Sequence, residues 1–269
     1  MNTLEVTTIF GCSINCSYCP QDKLSNSYGS NHKILNVDDF NKIIKKLPMH
    51  IKIHFTGFSE PFFNAKCHEM INVCHLQNRY IKISTTLYKA SEKNIQTILD
   101  GKFNKVILHL PANDNNMNIR ITSDYLDKIS TVSKCLTEKD SIVIFGREVN
   151  DAIKPLISSC KAHMSFLTLD YSNWNSRAGN IEYLSKIDNR RYSKIKCSKN
   201  KINQNVLLPN GDVYLCCMDW SLHHKLGNLI TDSYDDVVNS KEYKFIIESL
   251  GNSNSNTLCW RCEHAIQDA

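Results

Sequence analysis

Six short apolar runs, each followed by a helix-like or turn-rich stretch, constrain this 269-residue chain more than any other feature. They fall at residues 4–9, 51–55, 81–85, 105–109, 142–145 and 166–169 and are rich in Ile, Val, Phe or Leu. Between them, residues 37–47, 64–77, 91–100, 123–135 and 151–161 read as helices, several opened by Ser or Asp caps. Repeated β-then-α units build a parallel sheet with helices outside. Six units are too few to close an eight-stranded barrel, so the expected fold is α/β, a partial (β/α)6 TIM-like barrel. In such sheets chemistry collects at the carboxyl ends of the strands.

After about residue 190 the pattern changes. Residues 205–208 and 212–215 flank Pro209-Asn210-Gly211, a turn signal that predicts a β-hairpin. A helical stretch over 234–250 follows, then a polar segment at 251–256 and Cys259-Trp-Arg-Cys262. The expected division is a barrel over residues 1–189 and a small β-hairpin/α domain over 190–269.

The N-terminus lacks a basic stretch followed by an apolar run, and no segment approaches the ~20 apolar residues of a membrane span. The expected location is the cytoplasm, with no membrane association. A net charge of +5 without a Lys/Arg run suits an anionic ligand and argues against a nucleic-acid partner. Cytosolic thiols stay reduced, so metal ligation is the leading explanation for any of the twelve cysteines that cluster.

Two groups do. Cys12-Ser-Ile-Asn-Cys16-Ser-Tyr-Cys19 follows the first strand with C-x-x-x-C-x-x-C spacing. Three thiolates this close can wrap three corners of an iron–sulfur cube and leave the fourth iron open. A structural zinc site wants a fourth ligand, for which His32 is the nearest histidine. The second group is Cys197, Cys216, Cys259 and Cys262. Four thiolates can fully ligate one [4Fe–4S] cluster or one zinc ion, and composition does not separate the two. Cys67, Cys74, Cys135 and Cys160 have no close partner in the sequence and read as apolar helix thiols. His223-His224 reads as loop structure.

In the first motif the chain resembles the radical S-adenosylmethionine (SAM) superfamily, whose signature is this cysteine spacing after the first barrel strand. The resemblance implies a [4Fe–4S] cluster on Cys12, Cys16 and Cys19, with SAM chelating the open iron and Tyr18 beside it. SAM would be cleaved reductively to a 5′-deoxyadenosyl radical that takes a hydrogen atom from substrate. An external one-electron reductant such as flavodoxin or ferredoxin would feed the cluster. His54-Phe-Thr-Gly57-Phe-Ser-Glu60-Pro61 stands where the family carries a Gly-Gly-Glu-Pro-like segment at the SAM amino group, with two residues between Gly57 and Glu60. Ser84 and Thr85 match hydroxyls near the SAM ribose and carboxylate. Arg177 reads either as a carboxylate clamp or as a surface arginine.

The second group resembles the auxiliary-cluster domain called SPASM or, in its shorter form, Twitch. Only seven residues follow Cys262, none of them cysteine, so Twitch with one auxiliary [4Fe–4S] cluster is expected. The family's glycine-to-cysteine interval, Gly211 to Cys216, selects Cys216 over Cys217, whose side chain would point the other way if the strand continues.

A fully ligated auxiliary cluster is useful as an electron acceptor. The whole layout resembles the Twitch dehydrogenases of aminocyclitol biosynthesis, which implies oxidation of a hydroxyl on a sugar, cyclitol or similar small molecule. His109 and Asp170 are the candidate bases for the hydroxyl proton. The alternative is a SPASM-type epimerase or peptide-modifying enzyme, with Cys217 as hydrogen donor. Eleven residues before Cys12 leave no room for a peptide-recognition domain there, which favours the small substrate. A non-catalytic iron–sulfur or zinc protein is the third reading.

Overall fold

A computed structural model describes residues 1–167, 176–182, 193–253 and 255–268. Six parallel strands form its centre: β1 (Thr3–Val6), β2 (Lys52–Phe55), β3 (Ile81–Thr85), β4 (Lys105–Leu110), β5 (Ser141–Phe145) and β6 (His163–Leu167). Side chains alternate across a strand. Leu4, Val6, Ile53, Phe55, Ile81, Ile83, Val106, Leu108, Ile142 and Ile144 therefore face the helices in one core. The intervening Glu5, His54, Ser84, His109 and Phe145 face an inner cavity.

The helices read directly from their caps. In α2 (Val37–Lys46), Phe40, Ile43 and Ile44 are spaced to share one buried face. The Asn36 side chain accepts from Asp39 N–H at 2.8 Å, Asp38 and Asp39 fill the first turn, and Lys45 and Lys46 the last. Before it lies α1 (Gln21–Ser27), which no sequence signal anticipated. α3 (Cys67–Leu76), α4 (Glu92–Leu99) and α5 (Ser123–Ser133) follow, the last two capped by Ser91 and Thr122.

Several expected boundaries are corrected. The helix expected from residue 64 starts at Cys67, because the Asn64 amide is spent on the carbonyls of Thr8 and Leu35. The helix expected over 151–161 shrinks to α6 (Lys154–Ile157). The first strand stops at Val6, and the last lies at His163–Leu167, three residues earlier than its expected start. Residues 168 and 169 of that expected strand, Asp170, and the expected 189/190 division lie outside the described residues.

Beyond them come β7 (Ile195–Cys197), β8 (Gln204–Leu207), β9 (Asp212–Tyr214) and β10 (Lys225–Asn228). The hairpin expected around Pro209-Asn210-Gly211 is β8–β9. It joins the barrel: β8 pairs parallel to β1, with Glu5 opposite Val206, giving a sheet ordered β10-β9-β8-β1-β2-β3-β4-β5-β6. The helix expected over 234–250 is two, α7 (Tyr234–Val238) and α8 (Lys241–Ser249). Ser233 and Ser240 each accept from a first-turn N–H, so the run holds two helix starts. β11 (Ala265–Gln267) returns to pair antiparallel with β7. Among the described residues no helix is long and apolar enough to cross a membrane.

Candidate active site

The loop after β1 is bent by Asn15, whose φ of +45° is tolerated by asparagine better than by most residues. Asn116 O accepts from Ser17 N–H at 3.0 Å, and Ile14 O accepts from Asn118 N–H at 2.8 Å, pinning the loop to the segment after β4. Cys12, Cys16 and Cys19 thereby line one cavity of ≈ 270 Å³. The same cavity is lined by Tyr18, Gly57, Glu60, Ser84, Thr85, His109, Arg177 and Cys217, the sequence candidates that lie within the described residues and outside the second cysteine group.

Each of these has a local reason for its position. Tyr18 stacks on Phe145 with ring centroids 4.1 Å apart and hydrogen-bonds the Cys16 sulfur. Gly57 has φ +74°, and a Cβ there would stand 2.1 Å from Thr7 Oγ1, so only glycine lets the 57–60 loop cross β1 this closely. Glu60 is buried and accepts from Thr85 Oγ1 at 2.5 Å, Thr86 N at 2.7 Å, Thr86 Oγ1 at 2.8 Å and Phe62 N at 3.3 Å. A carboxylate has about four acceptor positions, so this one is filled from within the fold.

The sulfurs are not equivalent. Cys16 and Cys19 share a hydrogen bond, which with burial pushes the Cys16 thiol up, while that bond and the Arg177 charge draw Cys19 down. Burial raises the Cys12 thiol.

Residues that sequence reasoning missed complete the wall: Glu5, His54, Lys201, Gln21 and Trp220. Lys201 Nζ lies 3.5 Å from Glu5, which is 4% exposed. Burial raises the Glu5 carboxyl, opposed by Lys201. His54 Nε2 is 2.9 Å from Ser84 Oγ, and burial holds its imidazole well below the usual range. His109 is lowered to about 4 by burial, with the charges of Arg177 and Lys82 adding to it. A charged residue at an inward position of an apolar strand was the available signal for Glu5. None existed for Lys201, because its approach depends on the β8–β1 pairing.

The second group meets elsewhere. Cys197, Cys216, Cys259 and Cys262 line one cavity of ≈ 20 Å³, walled by Ile195, Ile202, Leu215, Met218, Leu250 and Leu258. Burial drives Cys216 well up and raises Cys259 and Cys262 to about 12 each, with neighbouring thiolates adding repulsion. Cys217 lines the other cavity, so adjacent residues serve opposite sides of one wall, and Lys201 lines both. Among the described residues no three His, Cys, Asp or Glu side chains converge tightly enough for a single metal ion. His224 braces the second pocket: its Nδ1 is 2.6 Å from Glu242 and its Nε2 accepts from Leu258 N–H, beside Cys259. Cys67 and Cys74 are buried in the main core on α3.

Residues 197–263 match SPASM, an iron–sulfur cluster-binding domain. The chain is similar to BtrN in complex with AdoMet and 2-DOIA (TM-score 0.63, 15% identity, 98% of this chain and 92% of that one). It is similar to SuiB of Streptococcus suis bound to the precursor peptide SuiA (TM-score 0.65, 12% identity, 97% and 69%). It also resembles His-tagged anSMEcpe with bound AdoMet (TM-score 0.58, 14% identity, 97% and 83%). No curated protein matches it by sequence. Residues 197–263 thus match an iron–sulfur cluster-binding domain, and the chain as a whole shares the fold of these three structures.

Proposed function

We propose that the protein is a radical SAM enzyme that oxidises a hydroxyl of a sugar, cyclitol or similar small molecule in the larger cavity, in the cytoplasm. The observation that carries this reading is the shared wall, with Cys216 on the small four-cysteine pocket and Cys217 on the larger three-cysteine cavity. The donor sets suit the groups. Soft thiols raised by burial and mutual repulsion are stabilised as thiolates by a cationic metal centre, and three against four ligands distinguishes an open site from a closed one. AdoMet bound by the similar BtrN and anSMEcpe structures supports SAM in the first cavity.

Bound there, a [4Fe–4S] cluster and SAM would supply the means to take a hydrogen atom from a substrate C–H bond. The chain's own residues do the rest. Cys12, Cys16 and Cys19 hold three corners and leave one open. Because the Glu60 carboxylate is filled, contact to the SAM amino group falls to the main chain of 57–60, with Ser84, Thr85 and Arg177 available to its ribose and carboxylate. Tyr18 and Phe145 form a stacked apolar wall beside the cluster.

The substrate hydroxyl must then lose a proton and the carbon radical an electron, leaving a carbonyl. Burial weakens His109 and His54 as proton acceptors and strengthens Glu5, so Glu5 beside Lys201 is the better base. Cys197, Cys216, Cys259 and Cys262 would hold an auxiliary cluster on the far side of the 216–217 wall, where it could accept that electron. An outside one-electron donor, of the flavodoxin or ferredoxin kind, is needed to begin each cycle.

One observation favours the epimerase reading: the Cys217 thiol, pushed up to about 11 by burial and in contact with Lys201, faces the same cavity. An assay in D2O with candidate cyclitols separates the two. Oxidation gives 5′-deoxyadenosine and a ketone without carbon-bound deuterium, whereas epimerisation gives an isomer deuterated at the inverted carbon and is abolished by Cys217→Ala. Failure to form 5′-deoxyadenosine after anaerobic reconstitution, even without substrate, contradicts both.

A further inference from the structure

The loop bearing Arg177 is fastened to the cysteine-bearing C-terminal region on two sides. Glu263, the residue after Cys262, accepts from Ser176 N–H at 2.5 Å and from the Ser176 hydroxyl, and its other oxygen accepts from Ala178 N–H at 3.2 Å. Arg177 and Ala178 both have φ +55°, a conformation that L-residues rarely adopt and never string together cheaply. It turns the N–H groups of Ser176 and Ala178 onto one carboxylate. On the other side the Asn180 amide donates to Arg177 O at 2.6 Å and Met218 O at 2.9 Å, and its Oδ1 accepts from the Ser221 hydroxyl at 2.5 Å. Met218 and Ser221 lie just past Cys216 and Cys217. Backbone held in such a conformation persists where its surroundings over-determine it, and here both cysteine segments do so.

We infer that Glu263 is a positioning residue that sets Arg177 in the wall of the three-cysteine cavity, so that assembly of the auxiliary pocket prepares the SAM site. Glu263 itself lines neither cavity and acts through the 176–178 backbone. The link to SAM rests on the reading of the larger cavity given above.

The test uses anaerobically reconstituted wild type, Glu263→Ala, Glu263→Gln, Arg177→Ala and the Glu263→Ala/Arg177→Ala pair. Two quantities are measured: the Kd for SAM by equilibrium dialysis, and the rate of phenylglyoxal modification at Arg177 in the absence of SAM, mapped by mass spectrometry. Glu263→Ala should weaken SAM binding about tenfold, the scale of lost hydrogen bonds to a charged group, and speed Arg177 modification severalfold at unchanged iron content. Glu263→Gln keeps one acceptor oxygen and should fall between; if the Ala variant loses iron, the Gln variant carries the comparison. The double variant should bind SAM no more weakly than Arg177→Ala alone. Wild-type affinity and wild-type Arg177 reactivity in Glu263→Ala would overturn the inference, as would full additivity in the pair. A wild type that fails to bind SAM contradicts the functional reading instead, and Arg177 reactivity then still decides whether the clamp exists.

Discussion

The two cysteine cavities share a wall and almost nothing else. The three-cysteine cavity, ≈ 270 Å³, is lined by ionisable and hydroxyl side chains from four parallel strands, with Phe145 from a fifth. The four-cysteine pocket, ≈ 20 Å³, is walled mostly by aliphatic residues, with Lys196, Lys201 and His264 also in its lining, and is fastened by short local elements. In the first, hydrogen bonding and Arg177 favour one thiolate, Cys19; in the second, burial and repulsion raise Cys216, Cys259 and Cys262. The difference teaches a division of labour. On the proposed reading, the larger cavity with three cysteines would admit reactants, whereas the smaller pocket with four would hold a group that exchanges only electrons.

The contrast is broken most severely by removing the first set. Cys12→Ala/Cys16→Ala/Cys19→Ala should form no 5′-deoxyadenosine at all and keep only the auxiliary iron, about four per chain, the content of one four-iron cluster. Iron and product are counted on the same anaerobic sample.

A smaller effect should follow at the hinge between the β2 and β3 loops. Glu60→Gln offers an amide where Thr86 N–H and Oγ1–H need an acceptor, leaving buried donors unpaired. The expected loss is ~2 kcal/mol, read as a lower midpoint in denaturant at unchanged slope. An unchanged midpoint would show that the cavity floor relaxes freely.

The third expected effect is the pH dependence of stability. The unfolded chain binds a proton at histidine near pH 6.5, while His109 resists it until about 4 and His54 shifts the same way. Their neutral forms are thus favoured on folding, and the stability present above pH 6.5 is lost as pH falls from 6.5 towards 4. His109→Gln should flatten part of that slope in thermal melts; an equally steep slope would mean that His109 titrates as if in water.

Much of this division was legible in the sequence, for specific reasons. Runs rich in Ile, Val, Phe or Leu locate β3 and leave β4 within one residue, and the cysteine motif after β1 stands at a carboxyl end, where parallel sheets put chemistry. A single turn signal predicts the β8–β9 hairpin. What failed was either capping or distance. Ser240 divides the run over 234–250 into two helices, and nothing in the sequence weights one cap over continued periodicity. Pairing of β8 with β1 joins residues some 200 apart, a register without local signal, and with it went Lys201 beside Glu5. His109 was legible as cavity-facing but not as a weakened base, since its pKa depends on burial among Arg177 and Lys82.

The central claim, that adjacent cysteines serve two separate sites, has a direct measurement: iron and sulfide per chain together with 5′-deoxyadenosine formation in Cys216→Ala and Cys217→Ala after anaerobic reconstitution. Wild type and Cys217→Ala should each hold about eight irons, two four-iron clusters. Cys216→Ala should hold about four while still cleaving SAM. Equal iron in the two variants, or loss of the auxiliary iron in Cys217→Ala alone, would contradict the account.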